Sequence, residues 1–259
     1  MTNLNIALVQ MRCEKGAIDA NLASMRAVIA ATAQRNVDVV AFPEASITGY
    51  IDPRRFPAAV LHVAGPEVAR FVALTRGTQL TAIAGLIEAN PDGRPFISQV
   101  VARAGELLGY YRKRTIPDDE AELFAAGTAA RVFAHPKAVF GVAICADIDD
   151  AAVFAECAGL GARVVFEMAA PGLYGPQETR DWRAGYEWWR NECLTKLGRY
   201  ARENGIAIAV ATQAGRTCDE DFPGGGYVFS ADGVCISATP DWSEGIHYAA
   251  LPLLPCPAN

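Results

Sequence analysis

The chain has 259 residues, 51% of them hydrophobic and 20% charged, with a formal net charge of −6. That is enough apolar material for a sizeable core, and the acidic balance argues against nucleic acid or an anionic membrane surface as a partner. No stretch approaches the roughly 18 apolar residues of a membrane span. The N-terminus has neither a basic segment nor an apolar signal core, so a cytoplasmic location is expected.

Asn5 to Met11 alternates and predicts a first strand. Ile18, Leu22, Met25, Ile29 and Ala33 recur at steps of three and four, which predicts an amphipathic helix over 17–35. Val37 to Pro43 predicts a second strand that stops at Glu44. Pro66 to Arg76 predicts a helix with proline in its first turn, where the missing N–H costs little. Leu80 to Ile87 and Ser98 to Arg103 predict strands around the turn Asn90-Pro91-Asp92-Gly93. A second turn, Ala104-Gly105-Glu106, leads into a strand ending at Lys113. Ala138 to Ile144 predicts a buried strand, 149–160 a helix, Arg163 to Met168 a strand and Ala170 to Asp181 a loop. Tyr186, Trp189, Cys193, Leu197 and Tyr200 share one helical face, Ile206 to Thr212 is a strand, and a meander of hairpins follows. Strand–helix alternation thus occurs twice, with no linker between. It predicts one domain over 1–259, built of two packed sheets with helices outside.

Three polar residues stand at strand ends. Glu44 follows Phe42-Pro43, Lys113 follows Tyr110-Tyr111-Arg112, and Cys145 follows Val142-Ala143-Ile144. Ligands of open α/β sheets bind beyond the carboxyl ends of strands. A carboxylate, an ammonium and a thiol there can build a covalent hydrolase that needs no histidine. Singly, Cys145 reads as a packed core thiol, Glu44 as a solvated turn and Lys113 as a surface charge; the matching contexts point to a site. The six other cysteines include no Cys-x-x-Cys, and His62, His135 and His247 lie far apart, so no metal site is expected. Gly224-Gly225-Gly226 lacks the lysine of a phosphate loop, and no Gly-x-Ser-x-Gly offers a serine nucleophile.

Over nearly its whole length the chain resembles the nitrilase, or carbon–nitrogen hydrolase, superfamily. The carrying segments are Phe42-Pro43-Glu44-Ala45-Ser46-Ile47-Thr48-Gly49-Tyr50, Tyr111-Arg112-Lys113-Arg114-Thr115-Ile116-Pro117 and Gly141-Val142-Ala143-Ile144-Cys145-Ala146-Asp147. Glu120 with Phe124 and Gly127, Gly161-Ala162 and Ala201-Arg202-Glu203-Asn204 support them. The resemblance implies a four-layer α-β-β-α sandwich, self-association into a homodimer or larger, and a small-molecule amide substrate without a cofactor. It also implies that Cys145 is the nucleophile, Glu44 the general base and later acid, and Lys113 the oxyanion stabiliser. Glu120, which sits in the acidic run Asp118-Asp119-Glu120, would hold lysine and substrate in place. Near the Lys113 ammonium, the Cys145 thiol is expected to favour its thiolate.

Nitrile-cleaving relatives usually show Cys-Trp-Glu, whereas Cys145-Ala146-Asp147 looks like the amide-cleaving branches. Ile148-Asp149-Asp150 stands where carbamoylases usually carry an arginine or histidine, and Ala151-Ala152 replaces a common Pro-Glu. The leading expectation is an amidase; a nitrilase, an N-carbamoyl amidohydrolase or a silent binding relative are the alternatives. Tyr50, Ala146, Glu167, Met168, Ala169 and Tyr174 are the expected substrate contacts, with Ala146 also giving a backbone oxyanion donor. Glu167 either selects an amine-bearing amide or buttresses the site. Trp182, Tyr186, Trp188 and Trp189 crowd one helix as core, interface or pocket residues.

Overall fold

The computed structural model describes residues 2–253. The first half contributes β1 (Thr2–Gln10), α1 (Ile18–Ala33), β2 (Val39–Ala41), α2 (Pro66–Ala73), β3 (Thr81–Glu88), β4 (Phe96–Arg103) and β5 (Glu106–Arg112). The second contributes β6 (Val132–Ala134), β7 (Val139–Ile144), α3 (Ala151–Gly159), β8 (Val164–Ala169), α4 (Trp182–Asn204) and β9 (Ala207–Thr212). Short strands β10 (Ala214–Arg216), β11 (Asp221–Pro223), β12 (Gly226–Phe229) and β13 (Cys235–Ala238) follow, and β14 (Gly245–Leu253) closes the series.

Two six-stranded sheets result, ordered β14-β1-β2-β3-β4-β5 and β13-β12-β9-β8-β7-β6. Their shared face holds alternate residues of each strand: Leu4, Ile6 and Leu8 of β1 pack with Val142, Ile144, Phe166 and Met168. The intervening positions face helices. Ala7, Val9 and Val40 meet Leu22, Met25 and Ile29 of α1 and Phe71 of α2. Ala143 and Val165 meet Phe154 and Cys157 of α3 and Trp189, Cys193 and Leu197 of α4. Strand period two, read on both faces, gives the α-β-β-α layering.

Several boundaries differ from those predicted. The α2 helix ends at Ala73 rather than Arg76, and β2 keeps only three residues of its predicted seven because the chain leaves the ladder to carry Glu44. A 3-10 turn, Cys145–Asp149, separates β7 from α3, which starts at Ala151. The long helix begins earlier, at Trp182, because the Asp181 carboxylate caps it by accepting from Ala184 N–H at 2.9 Å. β14 leaves the hairpin meander and pairs antiparallel with β1 over nine residues. Cys256 lies outside the described residues.

Candidate active site

Glu44 sits in a loop laid across β3. Ile47 N–H donates to Gly85 O at 2.7 Å, and Gly85 N–H to Ser46 Oγ at 3.0 Å. This approach requires glycine at position 85, since a Cβ there would lie 2.2 Å from Ala45 N. Lys113 leaves β5 with its backbone fixed by Ile97 O at 2.8 Å and by Gly127 N–H at 2.7 Å. Gly127 is equally constrained, because a Cβ would meet Arg112 O at 2.4 Å.

Cys145 begins the 3-10 turn with φ at 45°, a left-handed conformation rare outside glycine. Asp147, fully buried, holds that turn. Its carboxylate accepts from Ile144 N–H at 2.9 Å, Thr115 N–H at 2.8 Å, Arg114 N–H at 3.1 Å and Tyr111 O–H at 2.7 Å. One carboxylate therefore ties the cysteine turn to the segment that follows Lys113. Burial pushes the Asp147 carboxyl above its ordinary value, against the pull of these donors.

The charged groups converge. Lys113 Nζ lies 3.2 Å from Glu44 Oε1 and 2.9 Å from Glu120 Oε2. Glu120 also accepts from the Tyr50 hydroxyl, and Glu44 Oε2 accepts from Ala170 N–H at 2.9 Å. Glu44 and Lys113 are wholly buried. Burial raises the Glu44 pKa to about 7, with Lys113 opposing. Burial alone would lower Lys113, but the Glu44 and Glu120 carboxylates outweigh it, so the ammonium persists.

Cys145 departs from expectation. Burial, then Glu44, push its thiol well above the ordinary value, and Lys113 offsets only part of this. One ammonium already faces two carboxylates, so a thiolate would add a third negative charge beside them. These neighbours favour the thiol over the thiolate.

A cavity of about 490 Å³ opens above Cys145. Of the expected substrate contacts, Tyr50, Ala146 and Tyr174 line it, as does Glu120. Glu167, Met168 and Ala169 do not. Met168 packs between the sheets, Ala169 packs beneath the helices, and Glu167 is wholly buried with neither carboxylate oxygen hydrogen-bonded. The predicted strand ended at Met168; β8 runs through Ala169, so the substrate-facing loop starts at Ala170. Tyr186 is core, Trp189 is buried at the cavity wall with its indole N–H on Thr212 Oγ1, and Trp188 is exposed at the rim. Glu192 and Glu220, which also line the cavity, were not foreseen. Glu192 was legible in principle, one helical turn after Trp188; Glu220 arrives from a distant turn. A second cleft, about 380 Å³ near Arg54 and Pro95, holds none of the converging groups. Among the described residues no group of three or more histidine, cysteine or acidic side chains is placed to hold a metal ion. No described helix is long and apolar enough to cross a membrane.

Paired sheets with helices outside, and a half-buried thiol beside paired carboxylates and an ammonium, define a class of α/β protein with a cysteine-centred site. The chain belongs to the carbon-nitrogen hydrolase family, whose model matches residues 5–255. It is similar to the glutamine-dependent NAD(+) synthetase of Acinetobacter baylyi, 26% identical over 258 residues, covering 96% of this chain and 44% of that protein. A formamidase of Allorhizobium ampelinum is 31% identical over 176 residues, 64% of this chain and 51% of that one. The chain spans about half the length of these curated relatives or less. Among solved structures, a cysteine-to-alanine variant of the Nesterenkonia AN1 amidase superposes with a TM-score of 0.81 at 20% identity, covering 96% of this chain and 90% of that one. That likeness concerns the fold. Cys145 stands at the nucleophile position expected for the family.

Proposed function

We propose that the chain hydrolyses the carbon–nitrogen bond of a small primary amide, releasing ammonia and a carboxylic acid through a thioester on Cys145. The observation that carries this reading is Lys113, buried between Glu44 and Glu120 beside the cavity that Cys145 lines. A silent relative has no chemical use for two wholly buried charged groups, Glu44 and Lys113, whose desolvation costs several kcal/mol each by rough estimate.

Because burial and Glu44 favour the thiol, attack and deprotonation are coupled. The Cys145 S–H proton passes to Glu44 as sulfur bonds the carbonyl carbon, and the carbonyl π pair moves to oxygen. The Lys113 ammonium and the Ala146 N–H receive that oxyanion. Glu44 returns the proton to the amide nitrogen, the C–N bond breaks and ammonia leaves. Water then gives a proton to Glu44 and attacks the thioester; collapse expels sulfur, which recovers the proton. Amide plus water becomes acid plus ammonia. In this scheme Glu120 orients Lys113, and Tyr50 orients Glu120.

A second reading takes glutamine as the amide, since a relative aligned over 96% of the chain is a glutamine-dependent NAD(+) synthetase. Nitriles and carbamoyl compounds are disfavoured by Cys145-Ala146-Asp147 and Ile148-Asp149-Asp150. Ammonia release from small amides, glutamine, carbamoyl compounds and nitriles, run beside Cys145→Ala, separates these. Release confined to nitriles or carbamoyl compounds would overturn the amidase reading. A cytoplasmic location and a homodimer or larger assembly belong to the same proposal, the latter tested by sedimentation velocity.

A further inference from the structure

The wall of the catalytic cavity carries charge of one sign. Asp119, Glu120, Asp149, Glu192 and Glu220 line it, and among the described residues no lysine, arginine or histidine does. Behind the wall, Lys196 bridges Asp149 and Glu192 at 2.5 Å each, and Lys15 bridges Asp219 at 2.7 Å and Glu220 at 2.9 Å. Lys196 thus serves two carboxylates, whereas Asp219 is shared by Lys15 and Arg55, the latter at 3.1 Å, so the unbalanced negative charge lies on the Asp149, Glu192 and Asp119 side of the wall. Asp119, which is exposed, joins none of the ion pairs formed among the described residues.

A separate observation concerns rings. Tyr174 is 88% exposed and Trp188 is 42% exposed, both on the cavity lining. Trp188 and Glu192 lie one turn apart on α4, so an indole and a carboxylate share one helix face. Aromatic faces and carboxylates attract an ammonium by the same sign of field. A substrate carboxylate finds no cation on this wall and meets repulsion from it.

Resting on the amidase reading above, we propose that the cavity selects amides whose acyl chain carries an ammonium and rejects those whose acyl chain carries a carboxylate. Trp188 and Glu192 are the specificity-determining residues. Glutamine, whose acyl chain carries both an ammonium and a carboxylate, meets both effects at once and is favoured less than an amide that carries the ammonium alone.

The test compares kcat/KM for three primary amides of matched length, ending in an amine, a methyl group and a carboxylate. We expect the order amine, methyl, carboxylate, with at least about tenfold between the ends and a narrower spread in high salt. Glu192→Gln and Trp188→Ala should each move the amine-to-methyl ratio toward one. Equal rates, or a faster carboxylate, overturn the selectivity while leaving the amidase reading intact. No turnover of any amide overturns the amidase reading instead. Selectivity is then read from protection of Cys145 against iodoacetamide by the matched amine, alcohol and carboxylate. Stronger protection by the amine supports it, and equal protection or stronger protection by the carboxylate overturns it.

Discussion

Ala170 N–H donates to Glu44 Oε2 at 2.9 Å across 126 residues of sequence, joining the end of β8 to a loop of the other sheet. The group proposed as general base is thus held by the start of the substrate-facing loop. With the Glu44 pKa raised to about 7 by burial, kcat/KM should rise with pH through about 7. Ala170→Pro removes a donor to the charged carboxylate, so this limb should move to higher pH. A pH–rate profile of both proteins checks it, and an unmoved limb would assign that ionisation elsewhere.

Lys113→Met should lower kcat by about 10²–10³, the usual loss for one oxyanion donor. It also strands Glu44 and Glu120 without their shared cation, so a lower melting temperature should accompany the loss. Lys113→Arg should not restore activity, since a planar guanidinium does not replace a compact ammonium in a wholly buried space.

Glu44 also shapes stability. Its folded pKa lies above the ordinary value of 4.5, so between the two the native state binds more protons than the unfolded one. The stabilising contribution is complete below pH 4.5 and is lost as pH rises through about 7. The slope from this group cannot exceed about 1.4 kcal/mol per pH unit. Glu44→Gln should abolish that component in urea unfolding measured across the window.

Asp147→Asn should destabilise by about 3 kcal/mol, because three backbone N–H groups and a tyrosine hydroxyl lose a charged acceptor. Tyr111→Phe removes one of these bonds and should cost about 1–2 kcal/mol. Equal losses in denaturant unfolding would mean that Tyr111, not the turn, carries the effect.

Gly85→Ala sets a methyl 2.2 Å from Ala45 N. The Glu44 loop must then lift, so we expect about 2–4 kcal/mol of destabilisation with loss of turnover. A crystal structure of the variant should show Glu44 displaced from Lys113.

The polar residues at strand ends were legible because a strand that stops at a charge leaves a sharp pattern, as at Glu44, Lys113 and Cys145. The layers followed from alternation such as Leu4, Ile6 and Leu8 against Ala7 and Val9. Partnerships between distant segments were not legible. Nothing in Gly245–Leu253 announces that it leaves the hairpins to pair with β1. Glu167 lies inside β8 and is wholly buried, so the cavity begins three residues later at Ala170. The upward pull on the Cys145 thiol was hidden for another reason. Sequence names the nearby ammonium but not the burial that outweighs it.

Glu44 and Lys113 belong to one sheet and Cys145 to the other. Turnover is therefore a gauge of how the two halves are docked. A perturbation that slides one sheet against the other while melting neither should silence the enzyme before circular dichroism changes. Heat inactivation should accordingly run ahead of unfolding, with the seam between the sheets as its earliest point of failure.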